Sequence, residues 1–279
     1  APLTLLALAL VSVGTGLGSL WCEKLSPRAV EIGLVPFGAL GMTVFCADLY
    51  FARPGLAPET GITLLQFWQQ AGSFRIMADL ALVGLFAGFF IVPLFALIQS
   101  RTERSELSRV IAGMNIQNAL FIVSAAVTGI VLQRYLGFSI PQVFLLLAVL
   151  NAAVAVYLMV LVPEFFMRFI AWIYMRVMYR AEVHGVEANV PDEGPALLVC
   201  NHVSYMDPII LSSTIPRPIR FVMYYKIFNT PGLSWVFRAA RTIPIAGKHE
   251  DAELMQRAFE EVDKALAAGE LVCIFPEGS

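Results

Sequence analysis

Charge is scarce in this chain. Only 14% of its 279 residues are Asp, Glu, Lys or Arg, while 58% are hydrophobic. Soluble domains carry about 25% charged residues, so the deficit points to a membrane protein. The 19 basic and 21 acidic residues leave a net charge of −2, too little positive field to attract nucleic acid. Histidine and cysteine are also few. The three histidines and four cysteines (Cys22, Cys46, Cys200 and Cys273) include no CxxC pair, which argues against a metal site or a disulfide scaffold. A Gly-x-Ser-x-Gly elbow is missing, and so are the Walker and dinucleotide glycine patterns, which leaves a serine hydrolase or a nucleotide-binding fold without support. His184 and His249 read as surface residues. The first apolar run lacks a basic leader and is followed by many like it, so it is no signal peptide. Residue 1 is Ala rather than Met, and the chain stops just after a strand and loop. The sequence therefore reads as a piece of a longer protein.

What is present is long apolar runs. A bilayer core needs about 20 apolar residues per helix, and residues 1–162 supply five: roughly 2–20, 31–51, 76–99, 108–133 and 140–162. Small residues such as Gly14, Gly16 and Gly18 suit close packing within a bundle. Lys24 and Arg28, then Arg101, Arg104 and Arg109, then Arg168, Arg176 and Arg180 fall on one side. The other side has Arg53, Arg75 and Arg134. The positive-inside rule puts the first set, and everything after residue 162, in the cytoplasm. The expected location is thus the inner (plasma) membrane, with multiple passes. The 52–75 connection is then extracytoplasmic, and its Leu64–Trp68 part suits a short interfacial helix. Asp79, Asn115, Gln117, Asn118 and Asn151 are polar residues inside spans. They either line a path or bond neighbouring helices. Residues 163–183 mix aromatics with arginines, as a linker helix or a helix lying in the lipid interface would.

From residue 184 the pattern becomes α/β. Strands are expected at Ala196–Cys200, Arg220–Tyr224, Thr242–Ile245 and Leu271–Phe275. Helices are expected at Asp207–Thr214, Gly232–Ala240 and Glu250–Ala268, the last closed by Gly269. Such alternation predicts a largely parallel sheet. The fold class is therefore an all-α membrane bundle followed by an α/β domain. The first strand ends in Asn201-His202-Val203-Ser204-Tyr205-Met206-Asp207-Pro208, and the last in Phe275-Pro276-Glu277-Gly278-Ser279. In a parallel sheet both loops lie at the carboxyl edge, where ligands bind. Acyl transfer to an alcohol needs a base, and a neutral imidazole suits that work near pH 7. A carboxylate that fixes the ring and stabilises the imidazolium completes the pair. His202 and Asp207 have the right spacing for it. Asp207-Pro208 also suits an ordinary helix start, with Asp207 as cap.

Asn-His-x-Ser-x-x-Asp followed by Phe-Pro-Glu-Gly-Ser resembles the first and third blocks of the glycerolipid acyltransferase family, that of 1-acylglycerol-3-phosphate acyltransferase. The resemblance covers roughly residues 184–279. It implies His202 as general base with Asp207 as its partner. Glu277 and Gly278, with Ser279, fall in the block that holds the acceptor's glycerol, while Asn201 and Ser204 lie in the first block. The implied partners are a lysophospholipid acceptor and an acyl-CoA or acyl-carrier-protein thioester, with no further cofactor. The second family block carries an arginine where this chain has Ala246. Arg241, Lys248 or Arg238 would have to supply the charge, and Lys226 stands where related sequences carry a basic residue. The departure favours a lysophospholipid acceptor other than lysophosphatidic acid. In the apolar half, Gly18-Ser19-Leu20-Trp21-Cys22-Glu23-Lys24-Leu25-Ser26-Pro27-Arg28 resembles a cytoplasmic loop of major facilitator superfamily transporters. The five spans would then be that fold's helices eight to twelve. Together the halves resemble bacterial fusions of a lysophospholipid transporter with an acyltransferase. The expected domains are 1–162 transporter-like, 163–183 linker or interfacial helix, and 184–279 acyltransferase. The rival expectation is a transporter whose soluble domain binds lipid without chemistry.

Overall fold

The computed structural model describes residues 2–25, 31–52 and 63–277. Arg28, Arg53, Gly278 and Ser279 lie outside the described residues, as do the proline- and glycine-bearing first half of the 52–75 connection. The chain divides into two compact units, Ala1–Leu158 and Met159–Ser279.

Among the described residues, the regular structure of the first unit is helical. It contains α1 (Pro2–Leu25), α2 (Leu34–Phe51), a short α3 (Leu64–Gln69), α4 (Ser73–Arg101), α5 (Leu107–Ile130), which runs on as a π-helical turn at Val131–Tyr135, and α6 (Ile140–Leu161). Among the described residues, five helices are long and apolar enough to cross a membrane: α1, α2, α4, α5 with its π turn, and α6. Thr63 and Gln66 form a reciprocal capping box that starts α3. Its Trp68 is exposed.

Glycines set the main helix–helix seam. On α1, Gly14 and Gly18 lie against the backbone of α4 at Ala81 and Leu85. On α4, Gly84 lies against Val11 and Gly88 against Thr15 and Gly18. Two Gly-x-x-x-Gly pairs thus face each other, and the helices run parallel. Such close backbone approach is a packing mode that does not depend on a hydrophobic driving force. Gly84→Leu is expected to force α1 and α4 apart, at about 1–3 kcal/mol. Gly16→Leu, whose Cβ would meet nothing within 4 Å, should be silent. Thermal unfolding of both variants in detergent checks this. Across the other face of α4, Gly38 and Gly41 of α2 receive Phe86 and Phe89, and Phe37 and Phe45 close on Phe86. Asn151 of α6 donates to Ala39 O at 2.6 Å and to Thr43 Oγ1 at 2.9 Å on α2, the helix-bonding role among the two expected for such amides. Asn115, Gln117 and Asn118 are exposed on α5.

The second unit begins with α7 (Pro163–Met178), the stretch expected as a linker or interfacial helix. It packs on α9 (Asp207–Thr214) and buries Arg168, Phe169 and Met175. Between them come α8 (Val186–Asn189) and β1 (Ala196–Val199). After α9 follow β2 (Ile219–Tyr224), α10 (Tyr225–Phe228), α11 (Ser234–Ala239), β3 (Ile243–Ile245), α12 (Ala252–Ala267) and β4 (Leu271–Ile274). The strands form one parallel sheet in the order β1-β4-β2-β3. β4 is central. Leu271 and Cys273 join Ile215, Ile219 and Phe221 in one core, and α12 packs against β3 and β4 with Ala258 and Ala265 buried. A strand covered on both faces reads as an unbroken apolar run, which is how Leu-Val-Cys-Ile reads. Asp251 caps α12 by accepting from Leu254 N at 2.9 Å. Gly269, at φ +77°, ends that helix one residue past its cap, Ala268. Arg217 holds the amino edge together. It donates to the carbonyls of Pro191, Gly194 and Gly269 at 2.8–2.9 Å.

Candidate active site

The register of β1 on β4 sets the site. Ala196 opposes Leu271 and Val199 opposes Ile274, an offset of 75 residues. Cys200 N extends the ladder to Ile274 O at 3.1 Å. His202 and Glu277 keep the same offset beyond the strands, so the two loops emerge side by side at the carboxyl edge. There the His202 N–H donates to Glu277 Oε2 at 3.3 Å. The two loops that the sequence separates share one place.

His202 Nδ1 lies 3.0 Å from Asp207 Oδ2, with both side chains about one-fifth exposed. The same carboxylate oxygen accepts from Val203 N at 2.8 Å and from Ser204 N at 2.9 Å. Three donors therefore converge on Asp207 Oδ2. The Ser204 and Val203 amides, with His202 adding to them, hold this carboxyl below the usual carboxylate range. Asp207 is the first residue of α9, and Met206 takes the cap position. The alternative of a forward cap by Asp207 is not what forms. Its carboxylate turns back into the 203–204 loop and the imidazole instead. With Nδ1–H donated to Asp207, Nε2 carries the lone pair.

Phe275 fixes the ring from its face. Its centroid lies 4.5 Å from that of His202, and it stacks in turn on Phe221 at 6.2 Å. Sequence reading assigned Phe275 no role. The 75-residue register places it opposite Cys200, and no signal in the sequence alone supplied that register. Ser204 shapes the loop, its Oγ accepting from Met206 N at 3.1 Å and its carbonyl from Asp207 N at 3.0 Å. Asn201 is exposed beside the pair. Val203 and Tyr205 present large apolar groups to the outside, at 83% and 79% exposure. Burial pushes the Cys273 thiol well up, with Cys200 beside it adding to the effect. Cys273 thus behaves as a packed apolar residue, with no nucleophilic character.

The candidate acceptor residues divide between the two edges. Lys226 follows β2, at the carboxyl edge. Its Nζ meets Glu250 Oε1 at 3.3 Å and lies over the Tyr224 and Tyr225 rings. Tyr224 OH donates to the same carboxylate at 2.8 Å. The Tyr224 hydroxyl and Glu250 hold the ammonium above the ordinary lysine range. Ala246 is buried just after β3, with Lys248 exposed two residues on. Arg241 precedes β3 and so stands at the amino edge, away from His202. It holds φ +54°, pairs with Glu270 Oε1 at 2.9 Å and lies 3.7 Å from Glu164. Its carbonyl accepts from Arg220 Nε at 3.0 Å. The structure does not bring Arg241 to the site. The reason is topological: a residue entering a parallel strand lies opposite the edge where its neighbours' loops leave. Gly278 and Ser279, beyond Glu277, are outside the described residues.

Residues 180–279 match the Acyltransferase family model. An uncharacterized protein of Mycobacterium leprae is 30% identical over 122 residues, which cover 40% of this chain and 28% of that protein. Uncharacterized proteins of Mycobacterium tuberculosis and Mycobacterium bovis are each 30% identical over 113 residues, covering 38% of this chain and 28% of theirs. The matched segment thus spans little more than a quarter of each of these relatives. No solved structure matches the chain significantly. Residues 180–279, with their small parallel sheet, form an acyltransferase domain that follows an apolar helical region.

Proposed function

We propose that this domain moves a fatty acyl group from an acyl-CoA or acyl-carrier-protein thioester to the free hydroxyl of a lysophospholipid. His202 Nε2 takes the hydroxyl proton as the oxygen attacks the thioester carbonyl, and returns it to the departing thiolate. Asp207 orients the ring and balances the imidazolium. One observation carries the reading: an imidazole backed by a carboxylate at the carboxyl edge, in a domain matching the Acyltransferase family. The exposed Val203 and Tyr205 beside it suit a lipid chain. The helices of the first unit are proposed to belong to a major facilitator-type lysophospholipid transporter that delivers the acceptor to the cytoplasmic leaflet of the inner membrane.

The test is an assay of the purified protein with a labelled acyl thioester and a panel of lysophospholipids. Labelled diacyl product supports the enzyme. Lysolipid binding without product returns the rival reading, a lipid-binding domain on a transporter. A lysolipid flip assay in liposomes tests the transporter half separately. Lys226 is proposed to meet the acceptor's anionic headgroup in exchange for Glu250. Lys226→Ala is then expected to raise the acceptor KM about fivefold with little change in kcat, the size of one exposed charge contact. An unchanged KM removes Lys226 from the site.

A further inference from the structure

The end of α2 and the start of α4 bring together Asp48, Arg75 and Asp79. Arg75 forks onto Asp48, with Nε donating to Oδ2 at 2.9 Å and a second N–H reaching Oδ1. Asp79 follows Arg75 by four residues, one turn further along α4, and is only 3% exposed. Its Oδ2 is buried and has no hydrogen-bond partner, and its carboxyl lies within hydrogen-bonding reach of Asp48. Two carboxylates and one guanidinium leave one negative charge in excess, in a place that burial makes hostile to it. Two carboxyl groups hydrogen-bond to one another only when one of them carries a proton.

Among the described residues, the neighbouring helices offer no second cation. α1 meets α4 through Val11, Gly14, Thr15 and Gly18. Its ionisable residues Cys22, Glu23 and Lys24 come later, beyond the level of Gly88 and away from Asp79. Besides Asp48, α2 contributes Cys46 and Tyr50, neither of them a cation, and α3 (Leu64–Gln69) has no ionisable residue.

We propose that Asp79 is a proton-binding residue of the apolar region, and that its proton decides which carboxylate Arg75 holds. With the proton in place, Arg75 stays forked on Asp48 and clasps α4 to α2. Ionisation breaks the Asp79 O–H bond, leaves the electron pair on the carboxylate and passes the proton to water. The buried anion then draws the guanidinium along its own helix and frees α2. This site is independent of the acyl-transfer reading and gives the helical region a proton-linked movement of its own.

Infrared spectra of the purified chain in lipid nanodiscs near neutral pH test it through the protonated-carboxyl stretch. The wild type is expected to show this band. Asp79→Asn and Asp48→Asn are each expected to lose it, because one carboxylate and one guanidinium then balance. Arg75→Gln is expected to keep it. Absence of the band from the wild type, its survival in Asp79→Asn, or its loss from Arg75→Gln overturns the proposal. So does removal of the wild-type band by sodium but not by choline, which would mark a metal-cation site. The amide band in the same spectra reports folding, and Asp48→Asn with Arg75→Gln carries the test if Asp79→Asn misfolds.

Discussion

His202→Ala is expected to lower acyl transfer by about a hundredfold to ten-thousandfold, the usual contribution of a positioned general base. The loss should fall on kcat, since the imidazole meets the hydroxyl proton only as the bond to the acyl carbon forms. Folding should survive. His202 lies in a loop and is one-fifth exposed, and the sheet below it is held by the β1–β4 ladder. The check is single-turnover kinetics with labelled thioester, alongside a thermal melt of the same preparation. Activity within about threefold of wild type, with the fold intact, would remove the imidazole from the mechanism.

Asp207→Asn is expected to cost nearly as much, for two reasons that the structure separates. The first is electrostatic: a neutral amide no longer balances the imidazolium or holds the Nδ1–H tautomer. The second is architectural: the oxygen on which His202, Val203 and Ser204 converge loses its charge. Charge-assisted hydrogen bonds are about twice as strong as neutral ones, so the loop should loosen as well.

Stability then follows pH in a defined direction. The backbone amides of Ser204 and Val203 depress the folded-state value of Asp207, so the unfolded state takes up the proton first. The stabilisation is fully present above the unfolded value, about 3.9, and is lost as pH falls through the lower folded one. The melting difference between wild type and Asp207→Asn should stay constant from neutral pH to about pH 4 and shrink below it. A difference that already shrinks between about pH 7 and pH 5 would place the responsible titration elsewhere.

Much of the architecture was legible because long apolar runs and short strand–helix alternation are strong patterns. A stretch such as 76–99 has few alternatives to a spanning helix, and α4 runs through it. The α/β alternation placed all four strands to within a residue or so, since each is a short apolar run bounded by turn residues. His202 and Asp207 were legible as a pair through their spacing. The direction in which Asp207 bonds was not, because Asp-Pro is the common sign of a capped helix, and here Met206 takes the cap. Arg241 was misplaced by proximity in sequence. Its position just before the Thr242–Ile245 run already put it at the entry of a strand, on the edge opposite His202. Phe275 went unread because ring-on-ring contact depends on register, which a strand pattern alone does not supply. The facing glycines of α1 and α4 were visible as small residues, but which helix received them was not.

β4 follows the other three described strands along the chain and lies between β1 and β2 in the sheet. As the polypeptide leaves the ribosome, β2 and β3 have each other, whereas β1 waits with no partner for some seventy residues. The loop bearing His202 and Asp207 can form early, but the Phe275 ring and the Glu277 carboxylate come only with β4. The β1–β4 pairing is thus long-range, the kind of contact that makes parallel topologies slow to fold. A ribosome that stalls before Leu271 releases a split layer with apolar rims, a target for proteases, rather than a weakened enzyme.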